Sequence, residues 1–235
     1  MKVKCAWEHN GDDTLLYAVN CVGAYTRGAS KELARKKMPK EIMSYLRWSG
    51  EPVPESVEIE ITQEKTSGLQ IADADSDIMF EEERAPLPED AYLRLKALAL
   101  KSAEDFHKLY ASIPDKNASC LPERNTFYGA VPRTAQEMYE HTKNVNSYYF
   151  GEIGVDADNA GTILECRRRG FALLEQSGGF LQVPAVVGSY DELWSVQKVL
   201  RRFIWHDRIH AKAMYRMAVR TFGKYALRNP FQFDA

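Results

Sequence analysis

The feature that most limits the fold is a change of periodicity near residue 90. Beyond Ala85-Pro86-Leu87-Pro88, apolar residues recur almost throughout at the three- and four-residue spacing of an amphipathic helix, and the breaks fall at clusters of Pro, Gly and Asn. This pattern predicts helices near 89–112, 134–153, 160–177 and 192–222, and four amphipathic helices of such length predict a four-helix bundle. The residues ahead of the change behave differently. Leu15 to Val22 is a short β-rich run ended by Gly23, and Ser56 to Thr62 alternates apolar with polar residues as a half-buried strand does. Between them Ser30 N-caps a helix with the stripe Leu33, Met38, Ile42, Tyr45 and Leu46, closed by Gly50 and Pro52. Pro39 inside that pattern predicts a kink or a break. The expected class is α+β, mainly α: a small α/β domain over 1–84 and a helical bundle over 85–235.

Charge and composition exclude some functions. No apolar run approaches the ~18 residues that cross a bilayer, and Met1-Lys2-Val3-Lys4-Cys5 leads into a charged segment, so a cytoplasmic protein without a membrane partner is expected. The net charge is −2, with residues 1–84 at −5 (11 basic, 16 acidic) and 85–235 at +3 (20 basic, 17 acidic). That balance leaves no overall footprint for nucleic acid, and no nucleic-acid partner is expected. Cys5, Cys21, Cys120 and Cys166 are scattered without a C-x-x-C pair and read as reduced thiols. The run Asp73-Ala74-Asp75-Ser76-Asp77 lacks the glycine and closing glutamate of an EF-hand loop and reads, with Glu81-Glu82-Glu83, as solvated turn.

The chemistry-bearing pattern is Trp205-His206-Asp207-Arg208-Ile209-His210. Two histidines at i and i+4 share one helix face and reach one ion. At ~100° per residue, Val199, Phe203, Ala213, Met214 and Met217 share their direction, while Lys198, Arg201, Arg208, Lys212 and Arg216 project elsewhere, so the pair points into the bundle. A second helix supplies a third imidazole. Thr134 caps it with Glu137 three residues on, and His141 shares its inward direction with Met138, Val145, Tyr148 and Tyr149. Three neutral imidazoles from two helices make a divalent-metal site with open positions for water or substrate. Spacing also allows three unconnected histidines, since it does not show that the two faces meet.

Other residues read as structural. His107 sits a quarter turn off the stripe of Leu95, Ala99, Phe106 and Tyr110, and His9 lies in a polar stretch that reads as loop. Arg167-Arg168-Arg169 fans over most of a helical turn and reads as solvated surface. Tyr148-Tyr149-Phe150 reads as core or pocket wall. Glu152, three turns after His141 in the same direction, is either a carboxylate near the site or a solvated helix end. Asp207 reads as a surface ion pair with an adjacent Arg, with a role beside the histidines as the alternative.

Residues 89–223 resemble the DinB-like family, to which YfiT-type metal-dependent hydrolases are related. The likeness rests on Thr134-Ala135-Gln136-Glu137-Met138 leading to His141, and on Glu192-Leu193-Trp194-Ser195-Val196 leading through Val199-Leu200-Arg201-Arg202 to Trp205-His206-Asp207 and His210. The resemblance implies an up-down-down-up bundle with a long second crossover and a metal held by His141, His206 and His210. It also implies chemistry like that of the family's thiol-dependent S-transferases and maleylpyruvate isomerase, in which a low-molecular-weight thiol is activated as thiolate. Residues 1–65 resemble the HicB-like α/β domain through Tyr17-Ala18-Val19-Asn20-Cys21-Val22-Gly23-Ala24-Tyr25-Thr26-Arg27-Gly28 and the helix from Ser30. That domain usually belongs to antitoxins that bind a small toxin and carry a DNA-binding segment. Here the bundle stands in the place of that segment, so the domain is expected to serve as a dimerisation surface, giving a homodimer, or as a pocket lid.

Two functional readings follow. One is an enzyme, a transferase or hydrolase that uses a divalent metal, Zn or Ni first and Fe, Mn or Cu next, to activate a thiol or water toward a small-molecule electrophile. The other is a non-enzymatic binding or interaction module in which the metal is a staple.

Overall fold

The structure is a computed structural model, and it describes residues 1–126 and 129–234. It is α+β and mainly helical. Strands β1 (Lys2–His9), β2 (Thr14–Ala18), β3 (Tyr25–Gly28) and β4 (Glu58–Thr66) form a mixed sheet in the order β3-β2-β1-β4. β1 pairs antiparallel with β2 and parallel with β4, and helix α1 (Lys31–Ser49) makes the crossover that a parallel pair requires.

Both sheet faces are covered, which explains why every residue of β2 is buried. Val3, Cys5, Leu16 and Ala18 belong to the core shared with α1. Ala6, Leu15 and Tyr17 face the other way, onto Ile71, Ile78, Phe80 and Trp205. The second cover hid β1 from sequence reading, because its lysines alternate outward from a buried central strand. His9 therefore ends a strand and is not loop: its ring stacks on Trp7 with centroids 4.1 Å apart and meets Glu64 at 3.3 Å.

α1 starts as expected, with the Ser30 hydroxyl accepting from the Leu33 amide, and stops at Gly50 in the left-handed conformation. It does not break at Pro39. Pro39 removes one backbone donor, but Ala34, Met38, Ile42, Tyr45 and Leu46 are all buried and hold the helix in register on both sides of it.

Helices α2 (Glu89–Ser112), α3 (Ala135–Gly151), α4 (Ile163–Gln176) and α5 (Val196–Phe222) form the bundle-like part. α5 packs on α2 and α3, and α4 packs on the same two from the other side. Thr134 with Glu137 and Thr162 with Glu165 make reciprocal capping boxes, and Ser195 caps α5, so the last helix begins later than its periodicity suggested. Residues 193–194 (β8) instead pair with 186–187 (β7), and two-residue strands also pair at 125–126 (β5) and 129–130 (β6). α3 and α4 meet closely at Gly170, where a Cβ would stand 2.1 Å from the Phe150 ring. Gly23, at φ +100°, lets the β2–β3 turn touch Ile204 of α5.

One apolar core runs from the sheet and α1 into the bundle, and α5 is its axis. Three of the basic residues of α5 that point away from the histidines, Lys198, Arg201 and Arg208, are buried and not solvated, whereas Lys212 is half-buried and Arg216 exposed. Arg201 binds Glu83 and the Ile78 carbonyl, Arg208 binds Glu41 at 2.9 Å, and Lys198 binds Glu192 at 2.8 Å. Each cation tethers α5 to the N-terminal residues or to the loop before the helix. Of the acidic residues expected in solvated turns, Glu83 is buried against Arg201, Asp77 pairs with Lys65 at 2.6 Å and Asp73 with Arg124 at 2.7 Å, while Glu81 and Glu82 are exposed as expected. Among the described residues no helix is long and apolar enough to cross a membrane. All four cysteines are free, and burial pushes the Cys5 and Cys21 thiols up to about 12, so neither is a thiolate near neutrality.

Candidate metal centre

The three histidines meet. His206 and His210 stand one turn apart on α5 with ring centroids 4.4 Å apart, and His141 of α3 lies 5.2 Å from the first and 4.6 Å from the second. One nitrogen from each ring falls within 4.8 Å of the others. A tetrahedral ion bound at ~2.0–2.1 Å holds its nitrogens about 3.3 Å apart, a contraction within reach of modest side-chain rotation. The capping box starts α3 at Ala135 and thereby fixes where His141 emerges. Tyr149 backs the site, its ring edge-on to His206 with centroids 6.0 Å apart.

The electrostatics suit a cation ligand set. Burial lowers the pKa of all three imidazoles: that of His141 by burial alone, His210 to about 3 with His141 adding repulsion, and His206 well down, aided by His210, His141 and nearby Arg202 and Arg167. Neutral rings with free lone pairs are the form in which histidine binds metal. The Nδ1 atom of His206 is buried and, among the described residues, has no hydrogen-bond partner, and a buried ring nitrogen without a partner costs free energy unless a ligand satisfies it. The donor set therefore fits a divalent ion, and three ligands leave coordination positions for others.

Asp207 is not a surface ion pair. Its carboxylate is fully buried, takes two bonds from the Arg167 guanidinium at 3.1 and 3.2 Å, and accepts a third from the Ser102 hydroxyl at 2.5 Å. Burial pushes its pKa up while Arg167 and Ser102 pull it down. The expected solvated run is corrected with it: Arg167 is fully buried, whereas Arg168 and Arg169 are exposed. A fanning triplet places one member inward, and the signal for which one was the carboxylate beside His206. This pair joins α5 to α2 and α4 directly behind the histidines and holds the helix that carries two of them.

Glu152 is not the solvated helix end that was one of its two expected roles. It ends α3, is nearly buried, and accepts from the Ser189 amide at 2.7 Å, clasping the loop before α5. His107 bonds Tyr139 at 3.1 Å and stays outside the cluster. Tyr149 and Phe150 are core, and Tyr148 is exposed. Comparison with protein-family models, with curated proteins and with solved structures gave no match.

Proposed function

We propose that His141, His206 and His210 hold a divalent metal ion and that the protein uses it in chemistry on a small molecule, as a transferase or hydrolase of the DinB-like kind. The observation that carries this reading is the convergence of three neutral imidazoles from two helices, one of them with a partnerless buried nitrogen. Zn or Ni suits three imidazoles best, with Fe, Mn or Cu next. When bound, the ion supplies Lewis acidity that lowers the pKa of a thiol or water. The chain's own contribution is to keep the three rings neutral, to wall the site with Tyr149, and to fix α5 through Asp207 and Arg167. The HicB-like resemblance of the N-terminal part adds a homodimer contact or lid to this proposal.

Elemental analysis of tag-free protein tests it. About one equivalent of metal is expected in the native chain, with strong depletion in both His141→Ala and His206→Ala. A metal content unchanged by His141→Ala refutes the site. With the site established, turnover is sought with low-molecular-weight thiols, electrophiles and hydrolysable esters or amides. Activity that disappears in His206→Ala supports the enzyme. Inactivity across the panel together with a large fall in melting temperature on chelation assigns the ion a structural role in a binding module.

A further inference from the structure

The net charge of −2 conceals a local excess of positive charge. An open groove of about 1120 Å³ lies between α1 and the C-terminal half of α5. Lys36, Lys37 and Lys40 line it from α1, Lys212, Arg216 and Arg220 from α5, and Arg27 from β3, against two acids, Glu41 and Asp234. Both acids are already engaged: Glu41 by Arg208 and Lys212, and Asp234 by Lys40 at 3.2 Å. Among the described residues, Lys37 and Arg27 bond only backbone carbonyls. Lys36, Arg216 and Arg220 are exposed and, among the described residues, make no hydrogen bond or ion pair within the chain.

The arrangement is linear. Lys212, Arg216 and Arg220 recur at every fourth residue, a row rising about 6 Å per step and about 12 Å in all, and Lys36 with Lys40 repeats the step on the opposite wall. Such a row is longer than one phosphate group and suits a succession of them. The aromatic residues of the groove, Tyr25, Tyr215 and Phe233, are buried, so no ring face is offered for a base to stack on. A nucleic-acid strand carries a permanent charge at every step, whereas an acidic peptide reaches that density only in an unbroken run of Asp or Glu. The cations line a recess and not a projecting helix, which admits a single strand more readily than a duplex. We propose that this groove binds the phosphate backbone of single-stranded nucleic acid without reading base sequence.

The test is fluorescence anisotropy of the full chain with a labelled oligothymidylate of about 12 nucleotides, across a salt series upward from about 50 mM. Arg216→Gln/Arg220→Gln removes two phosphate contacts, each contributing ~0.7 to the log–log salt slope of single-strand binding. The slope is therefore expected to fall by about 1.4, and binding at about 50 mM salt to weaken on the order of 60-fold relative to a 1 M reference. Arg94→Gln/Arg168→Gln changes the net charge equally on exposed parts of α2 and α4 and is expected to bind like the native chain. Circular dichroism confirms that both variants fold. No binding at the lowest salt overturns the proposal, and so does an equal loss in the control pair. A poly-glutamate peptide of equal length that binds as tightly as the oligonucleotide also overturns it, in favour of an acidic-peptide partner.

Discussion

Asp207→Asn isolates how much of the site's rigidity comes from one buried carboxylate. The substitution preserves volume but removes the charge that faces Arg167, whose guanidinium is fully buried. An amide also turns a donor toward a donor, so the two Arg167 contacts at 3.1 and 3.2 Å cannot both persist. Two effects compete. Relieving the buried carboxylate recovers its own desolvation cost, while the orphaned cation loses the carboxylate that it pairs with. The second effect dominates, because breaking a buried pair from one side costs about 3–5 kcal/mol. The Phe203 ring 3.7 Å from the guanidinium carbon gives no relief, since it stabilises the cation equally in both proteins. At ~2–4 °C per kcal/mol for a chain of this size, the melting temperature should fall by roughly 6–20 °C. Urea unfolding of chelator-treated protein, followed by circular dichroism, measures the loss without a metal contribution. Arg167→Met/Asp207→Leu removes both charges and should recover most of it. A single-variant cost below about 1 kcal/mol, or a double variant as unstable as the single one, would refute the reasoning.

Two further outcomes follow from the packing and the charges. Gly170→Ala drives a methyl to 2.1 Å from Phe150, whose fully buried ring is wedged against Phe171 and Phe203; the clash should outweigh the ~1 kcal/mol gained in helix propensity and cost about 1–3 kcal/mol by thermal unfolding. Burial raises the fully buried Glu8 carboxyl from 4.5 to about 7 despite the Ser76 hydroxyl it accepts, so the folded state binds more protons than the unfolded one between those values. Stability should therefore fall by up to about 3 kcal/mol as pH rises from 4.5 to 7, and a Glu8→Gln variant should lack that component in a difference curve of unfolding free energy against pH. Identical pH dependence in the two proteins would remove Glu8 from the account.

The sequence made most of the bundle legible because its helices are punctuated by local chemistry. Thr134 with Glu137, the Ser30 cap and Gly50 act within a few residues of the ends they mark, and each structural boundary falls within a few residues of the one read from it. Strand β1 was hidden for the opposite reason. Its burial depends on β4 and Trp205, both distant in sequence, as well as on the neighbouring β2, and its outward lysines imitate a solvated segment. Pro39 does not break α1 because a breaker acts on local propensity, while the buried stripe around it is worth more than one missing hydrogen bond.

The same division governs the site. The inward face of His206 and His210 could be read from neighbours on their own helix, and the direction of His141 from its own. What could not be read was the cost structure around them. Arg167, Arg201 and Arg208 look like solvent-facing charges until Asp207, Glu83 and Glu41 are brought to them from other elements, and each such pair is stable only when both members arrive together. That dependence makes α5 more than a carrier of two histidines. Its apolar and imidazole face is set against α3, and its charged faces are tied to Glu41 of α1, to Glu83, and through Arg167 to α4. A rotation of the helix that separated His206 from His141 would therefore break several buried ion pairs at once. The three imidazoles are held together by contacts that none of them makes.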